Sequence, residues 1–237
     1  ACGEPSYLVD AMVANAAAYR DVEIVHMVAM GKGEYCKPEY AQNFRHNAFF
    51  VGASTREAIA EGRGDFTPSF FFEVPRQFST TMPVDVAMVM VTPPDENGMC
   101  SLGVSVDYTL EAVKQAKTVI AQVNPQMPWT GPYSLVSVKE LDCIVEHEAP
   151  LIELAPPKIG EVEKAIGEHC ASLIQDGATL QLGIGAIPDA VLLFLKGKKD
   201  LGIHSEMFSD GVVELAEAGV ITNAKKSLNP GKFVVAF

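Results

Sequence analysis

VDVAMVMVTPPDENGMCSLGVSVDYTLEAVKQAKTVIAQV, from Val84 to Val123, holds a strand, a turn, a helix and a second strand in one stretch. Val84–Val91 is rich in β-formers and alternates little, as expected of a strand covered on both faces. Pro93-Pro94-Asp95-Glu96-Asn97-Gly98 supplies turn residues. Asp107 is placed to cap a helix running through Leu110, Val113 and Ala116, and Thr118–Val123 returns as a strand. That succession predicts an α/β fold with a mainly parallel sheet.

Downstream, Pro125, Pro128, Gly131 and Pro132, then Pro150, Pro156 and Pro157, mark irregular chain. The last of these sets the expected domain boundary, with residues 1–156 forming a first domain and 157–237 opening a second. Ile159, Val162, Ile166, Cys170, Leu173 and Ile174 recur at helical spacing, and Asp176-Gly177 ends that helix. Thr179–Leu182 reads as a strand, followed by a glycine loop and a helix opening at Pro188. Leu201–His204 reads as the next strand, and Gly211–Ala218 as a short helix closed by Gly219. Lys232–Phe237 is an apolar run that reads as a strand with nothing after it, so the sequence is expected to be a piece of a longer protein.

The 237 residues are 48% hydrophobic, enough for one large or two modest cores, and carry 30 acidic against 18 basic side chains. A formal net charge of −12 repels nucleic acid and anionic membrane surfaces, so an anionic ligand must be held by local groups. Neither a long apolar span nor a signal-peptide pattern is present, which makes a cytoplasmic protein without membrane or nucleic-acid partners the expectation. Cys2, Cys36, Cys100, Cys143 and Cys170 show no Cys-x-x-Cys spacing and read as reduced, mostly buried thiols.

Chemistry is concentrated at Gly183-Ile184-Gly185-Ala186-Ile187-Pro188, between a strand and a helix. Its glycines let backbone amides approach a phosphate or a developing oxyanion at a helix N-terminus. Glu206 lies at the C-terminal end of the next strand, the edge where parallel sheets bind ligands. The same residues permit a dinucleotide site, in which an acidic side chain holds a ribose hydroxyl, or a purely structural tight turn. Against the dinucleotide site, Pro188 occupies the third glycine position of that pattern.

QLGIGAIPDAV (Gln181–Val191) and LGIHSEMFSDGVVELAEAGVITN (Leu201–Asn223) resemble the segment around the catalytic glutamate of the acetyl-CoA hydrolase/transferase family, in particular its 4-hydroxybutyrate and butyryl-CoA:acetate CoA-transferases. The resemblance extends to GKGEY (Gly31–Tyr35), PPDENG (Pro93–Gly98) and PKIGEVEKAIGEHCASLI (Pro157–Ile174). It implies two open, mainly parallel-sheet domains of the CoA-transferase type, the second incomplete, because the family has a further C-terminal portion with more CoA contacts. It also implies that Glu206 forms a covalent glutamyl-CoA thioester and that Gly183, Ile184, Gly185, Ala186 and Ile187 line the CoA site. The implied reaction moves CoA between a short-chain acyl-CoA, butyryl-CoA in preference to 4-hydroxybutyryl-CoA on overall resemblance, and a carboxylate such as acetate, with CoA as substrate and no permanently bound cofactor. Hydrolysis of the acyl-CoA is the nearest alternative, and a dinucleotide-dependent oxidoreductase a more distant one. A homo-oligomer would help to cover sheet edges.

Gln181 leads into the loop and is a candidate substrate contact, or it faces a neighbouring strand. His204, two residues before Glu206, is expected to be packed and neutral, although it would share a side with Glu206 and can tune its charge. Glu146-His147-Glu148, at alternate positions on a strand, reads as a surface charge group, and no metal site is expected. Arg63-Gly64-Asp65 reads as a polar turn. Lys196, Lys198 and Lys199 either help to hold CoA phosphates or form a solvated loop.

Overall fold

The computed structural model describes residues 3–236, so Cys2 and Phe237 lie outside the described residues. The chain divides into two compact units, Ala1–Glu153 and Leu154–Phe237. The first opens with α1 (Ser6–Ala14). A parallel sheet follows, in the order β1 (Val22–His26), β2 (Phe44–Ala48), β3 (Gly64–Phe66), with α2 (Arg56–Ala60) preceding β3. Arg63-Gly64-Asp65 is the entry to β3 rather than a turn. Asp65 is gripped by two guanidinium nitrogens of Arg45 on the neighbouring strand, which hold its carboxyl below the usual range.

After α3 (Val74–Ser79), the stretch that announced the fold takes shape. It comprises β4 (Val86–Val91), β5 (Met99–Ser101), α4 (Thr109–Gln115) and β6 (Thr118–Val123), followed by β7 (Leu135–Ser137) and β8 (Cys143–Glu146). β6 lies between β4 and β8, parallel to both, with Val86 opposite Thr118 and Val91 opposite Val123. Ala87, Val89, Val91, Val119, Ala121 and Val123 form one buried cluster that Val113 of α4 joins. A strand covered on both faces has no polar side to alternate with, hence the unbroken apolar run. Asp95 Oδ1 accepts from the N–H groups of Asn97 and Met99 at 2.9 and 2.8 Å. Gly98, at φ +72°, completes the reversal into β5, which pairs antiparallel with β7. Asp107 Oδ1 accepts from Thr109 N at 2.9 Å and from Thr109 Oγ1 at 2.7 Å, but the N-cap of α4 is Tyr108 and not the expected Asp107.

In the second unit, α5 (Glu161–Leu173) leads to β9 (Thr179–Leu180), α6 (Ala186–Leu193), β10 (Gly202–Ile203) and α7 (Asp210–Glu217). β9 and β10 pair in parallel. Leu192, Leu195, Leu201, Ile203, Val212 and Leu215 form the core between sheet and helices. The periodicity places α5 correctly but not its contact face. Val162 and Leu173 are 69% and 83% exposed, and the buried residues of the helix are Gly167 and Ala171. Small residues win because α6 comes too near for larger ones: a Cβ on Gly167 would stand 2.7 Å from the carbonyl carbon of Ala190. Gly167→Ala should therefore destabilise the second unit by about 1–3 kcal/mol, the usual cost of overpacking, read as a lower urea midpoint at unchanged slope.

The thiols are less buried than expected. Cys100 is buried and Cys36 partly so, but Cys143 and Cys170 are exposed. Burial raises the Cys36 thiol to about 11, with Arg63 opposing. No described helix is long and apolar enough to cross a membrane.

Candidate active site

The parallel pair β9–β10 sets the geometry. Thr179 faces Gly202 and Leu180 faces Ile203, and both strands run toward the same end of the sheet. β9 is shorter than the expected strand at 179–182, because beyond Leu180 the regular ladder gives way to a side chain. Leu182 N–H donates to Ser205 Oγ at 3.0 Å, and Ser205 Oγ donates to Leu182 O at 2.9 Å. Gly183 and Glu206 follow these two residues directly. The glycine loop and the candidate nucleophile are therefore next-door neighbours at the carboxyl ends of adjacent strands.

The loop closes into α6 two residues before Pro188. Gly185 is the N-cap, at φ 112° and ψ −179°, a conformation that is essentially glycine's alone. Asp189 N–H makes the first full helical bond, to Gly185 O at 3.2 Å. Pro188 sits third in the helix and brings no strain, because the first four N–H groups of any helix lack an internal acceptor. None of the N–H groups from Gly183 to Ile187 meets an acceptor among the described residues. Ile184 and Ile187 of the same loop are 57% and 45% exposed. Five residues of chain thus present a row of donors at the positive end of a helix, suited to a phosphate or an oxyanion.

Glu206 is exposed, and its carboxylate takes part in no hydrogen bond or ion pair among the described residues. Its carbonyl accepts from Ala236 N at 2.9 Å. His204 is exposed as well, contrary to the packed histidine expected. Along β10 and beyond it, Ile203 and Ser205 turn inward while His204 and Glu206 turn outward. Gln181 is exposed on the approach to the loop.

The three lysines after α6 have separate fates. Lys198 Nζ donates to Ile174 O at 2.6 Å, closing the end of α5, and Lys196 Nζ stands 4.0 Å from Glu214. Lys199 contributes its backbone N–H to Asp176. Glu146, His147 and Glu148 also diverge. β8 ends at Glu146, the His147 ring stacks on Tyr7 with centroids 3.9 Å apart, and Glu148 accepts from Gln126 at 3.2 Å. Among the described residues no three His, Cys, Asp or Glu side chains are grouped to hold a metal.

Sequence reasoning passed over Ser205, Asn223 and Lys226, which organise the strand beneath Glu206. Asn223 Oδ1 accepts from Ile203 N at 2.8 Å, and Lys226 Nζ donates to Ile203 O at 2.7 Å and to Lys232 O at 2.6 Å. Burial lowers the Lys226 ammonium from its ordinary value. Val234 then bridges to His204 in parallel, so the apolar terminal run does return to the sheet. A signal existed for Ser205: with His204 and Glu206 on one side of the strand, the residue between them must face in.

Residues 1–156 match the model of the acetyl-CoA hydrolase/transferase N-terminal domain. The whole chain is 63% identical to the 4-hydroxybutyrate coenzyme A transferase of Clostridium kluyveri and spans 56% of that protein. Similarity to the butyryl-CoA:acetate CoA-transferase of Anaerostipes caccae is 36% identity, over 83% of this chain and 46% of the relative. Superposed on the crystal structure of 4-hydroxybutyrate CoA-transferase from Porphyromonas gingivalis, the chain gives a TM-score of 0.87 at 39% identity. That match covers 100% of this chain and 56% of the other. The chain thus spans about half the length of the curated relatives it matches.

Proposed function

Because the chain belongs to the acetyl-CoA hydrolase/transferase family, we propose that its protein moves CoA between a short-chain acyl-CoA and a carboxylate such as acetate, with Glu206 as nucleophile. The observation that carries this reading is the pairing of an unengaged carboxylate with a row of unspent amide donors on the adjacent strand end.

Glu206 attacks the acyl carbonyl, and the C–S bond breaks to release CoA thiolate, leaving a mixed anhydride. Thiolate then attacks the Glu206 carbonyl and expels the first carboxylate, giving the glutamyl-CoA thioester. The acceptor carboxylate attacks this thioester, thiolate leaves again, and its return to the acyl carbon yields the new acyl-CoA and restores Glu206. No proton is consumed, and each carboxylate that leaves is matched by one that enters. Every addition places negative charge on a carbonyl oxygen, which N–H groups of Gly183–Ile187 stabilise. Gln181 serves as a substrate contact at the mouth of the loop. The 63% identity to a 4-hydroxybutyrate transferase favours 4-hydroxybutyryl-CoA over butyryl-CoA as the donor.

The test is to incubate the full reading frame that encodes this chain with each acyl-CoA, reduce with borohydride, and map the product by mass spectrometry. Reduction is expected at Glu206 and to a greater extent with 4-hydroxybutyryl-CoA. Release of free acid and CoA without acetate dependence would instead identify a hydrolase. CoA binding with no modified carboxylate would reject covalent catalysis altogether.

A further inference from the structure

The geometry points to Ser205 as the positioning residue that locks the amide loop and Glu206 into one unit, an assignment that rests on the reading of Glu206 as nucleophile. Ser205 is buried, at 7% exposure, and its single hydroxyl makes three hydrogen bonds. It donates to Leu182 O at 2.9 Å, accepts from Leu182 N at 3.0 Å, and accepts from Met207 N at 3.3 Å. One donor and two lone pairs are the full capacity of a hydroxyl. The residues engaged are Leu182, immediately before Gly183, and Met207, immediately after Glu206.

The placement has a consequence for the strands. A parallel ladder continued past Leu180 would have joined the Leu182 N–H and C=O to the backbone beside Ser205. Ser205 Oγ takes both of those groups, and Glu206 N–H has no acceptor among the described residues. The two strands therefore keep their register while they part, and the parting exposes the loop donors and Glu206 on the same rim. Here one oxygen sets the spacing between the group that attacks and the groups that receive the charge. Misplacement of reacting groups by about 1 Å can lower turnover on the order of a hundredfold without weakening binding.

Ser205→Ala, Ser205→Thr and Glu206→Gln, each in the full reading frame, are assayed for CoA transfer to acetate, with kcat and KM separated and thermal unfolding recorded. Ser205→Ala is expected to lower kcat about ten- to a hundredfold at a KM for acyl-CoA close to wild type, and Ser205→Thr, which keeps the hydroxyl, to recover most of it. Unchanged kcat in Ser205→Ala, or a loss that appears in KM or melting and is not recovered by threonine, overturns the assignment. Should the alanine protein not fold, Ser205→Cys is read by the same split of kcat from KM. Turnover persisting in Glu206→Gln would reject the nucleophile itself, an outcome separate from a silent Ser205→Ala.

Discussion

Glu206→Gln should abolish transfer, lowering kcat by about ten-thousandfold or more, while thermal unfolding and CoA binding stay at wild-type levels. Loss of a covalent nucleophile removes a path that no neighbouring group replaces, and such losses are among the largest that single substitutions produce. Structure should survive because the Glu206 side chain is exposed and supports nothing: its carboxylate has no partner among the described residues, and the bond to Ala236 uses the backbone carbonyl. Glutamine keeps the shape but replaces one carboxylate oxygen with an uncharged amide nitrogen that cannot serve as the nucleophile. Steady-state assays with acetate as acceptor, alongside a melting curve, check both halves. A variant that loses activity and stability together would make Glu206 a structural residue.

Gly185→Ala should be the second severe change, for a different reason. A Cβ at this position would meet nothing within 4 Å, so no clash arises. The obstacle is the backbone, held at φ 112° and ψ −179°, where a residue with a side chain is strained by about 1–3 kcal/mol. The loop will relieve that strain by rotating, which re-aims the N–H groups of Ala186 and Ile187. Losing one oxyanion donor lowers kcat by about a hundred- to a thousandfold. Gly183→Ala provides the contrast: its Cβ would lie 3.6 Å from Pro188 Cγ, an ordinary contact, and its φ is not positive. Kinetics of the two alanine variants side by side should show the large loss only at Gly185; equal effects would point to crowding of the ligand rather than to amide direction.

The parts of the fold that were legible are those whose pattern has a local cause. Residues 84–91 and 118–123 read as buried strands because both faces are covered, and residues 93–98 as a turn because Asp95 bonds its own neighbours. Helix existence was legible in α5, yet its contact face was not. The apolar stripe through Val162 and Leu173 follows helical period, but the closeness of α6 selects Gly167 and Ala171 instead, a tertiary fact. Around the candidate site, the glycine loop and Glu206 stood out by residue type. Ser205 did not, since a serine inside a strand carries no local signal of what its hydroxyl will meet. Pro188 marked the helix start only to within a turn, because proline is tolerated anywhere among the first orphan donors. His204 shows the limit of analogy with packed histidines: strand alternation, read strictly, already placed it outside.

Asn223 and Lys226 bear on how this protein avoids unwanted company. β10 is only a two-residue strand, and its flank away from β9 would ordinarily be an invitation to pair with a foreign strand. Asn223 Oδ1 occupies the Ile203 N–H and Lys226 Nζ the Ile203 carbonyl, while segments at Ile221 and Val234 bridge on either side. Asn223 adopts φ 57°, a left-handed turn that asparagine accepts more readily than most residues, and so reaches the strand without a ladder of its own. The flank is stoppered by two side chains, one carrying a buried positive charge that an intruding backbone would have to displace. Strand invasion is thereby blocked at the segment that leads to Glu206, where mispairing would be most damaging.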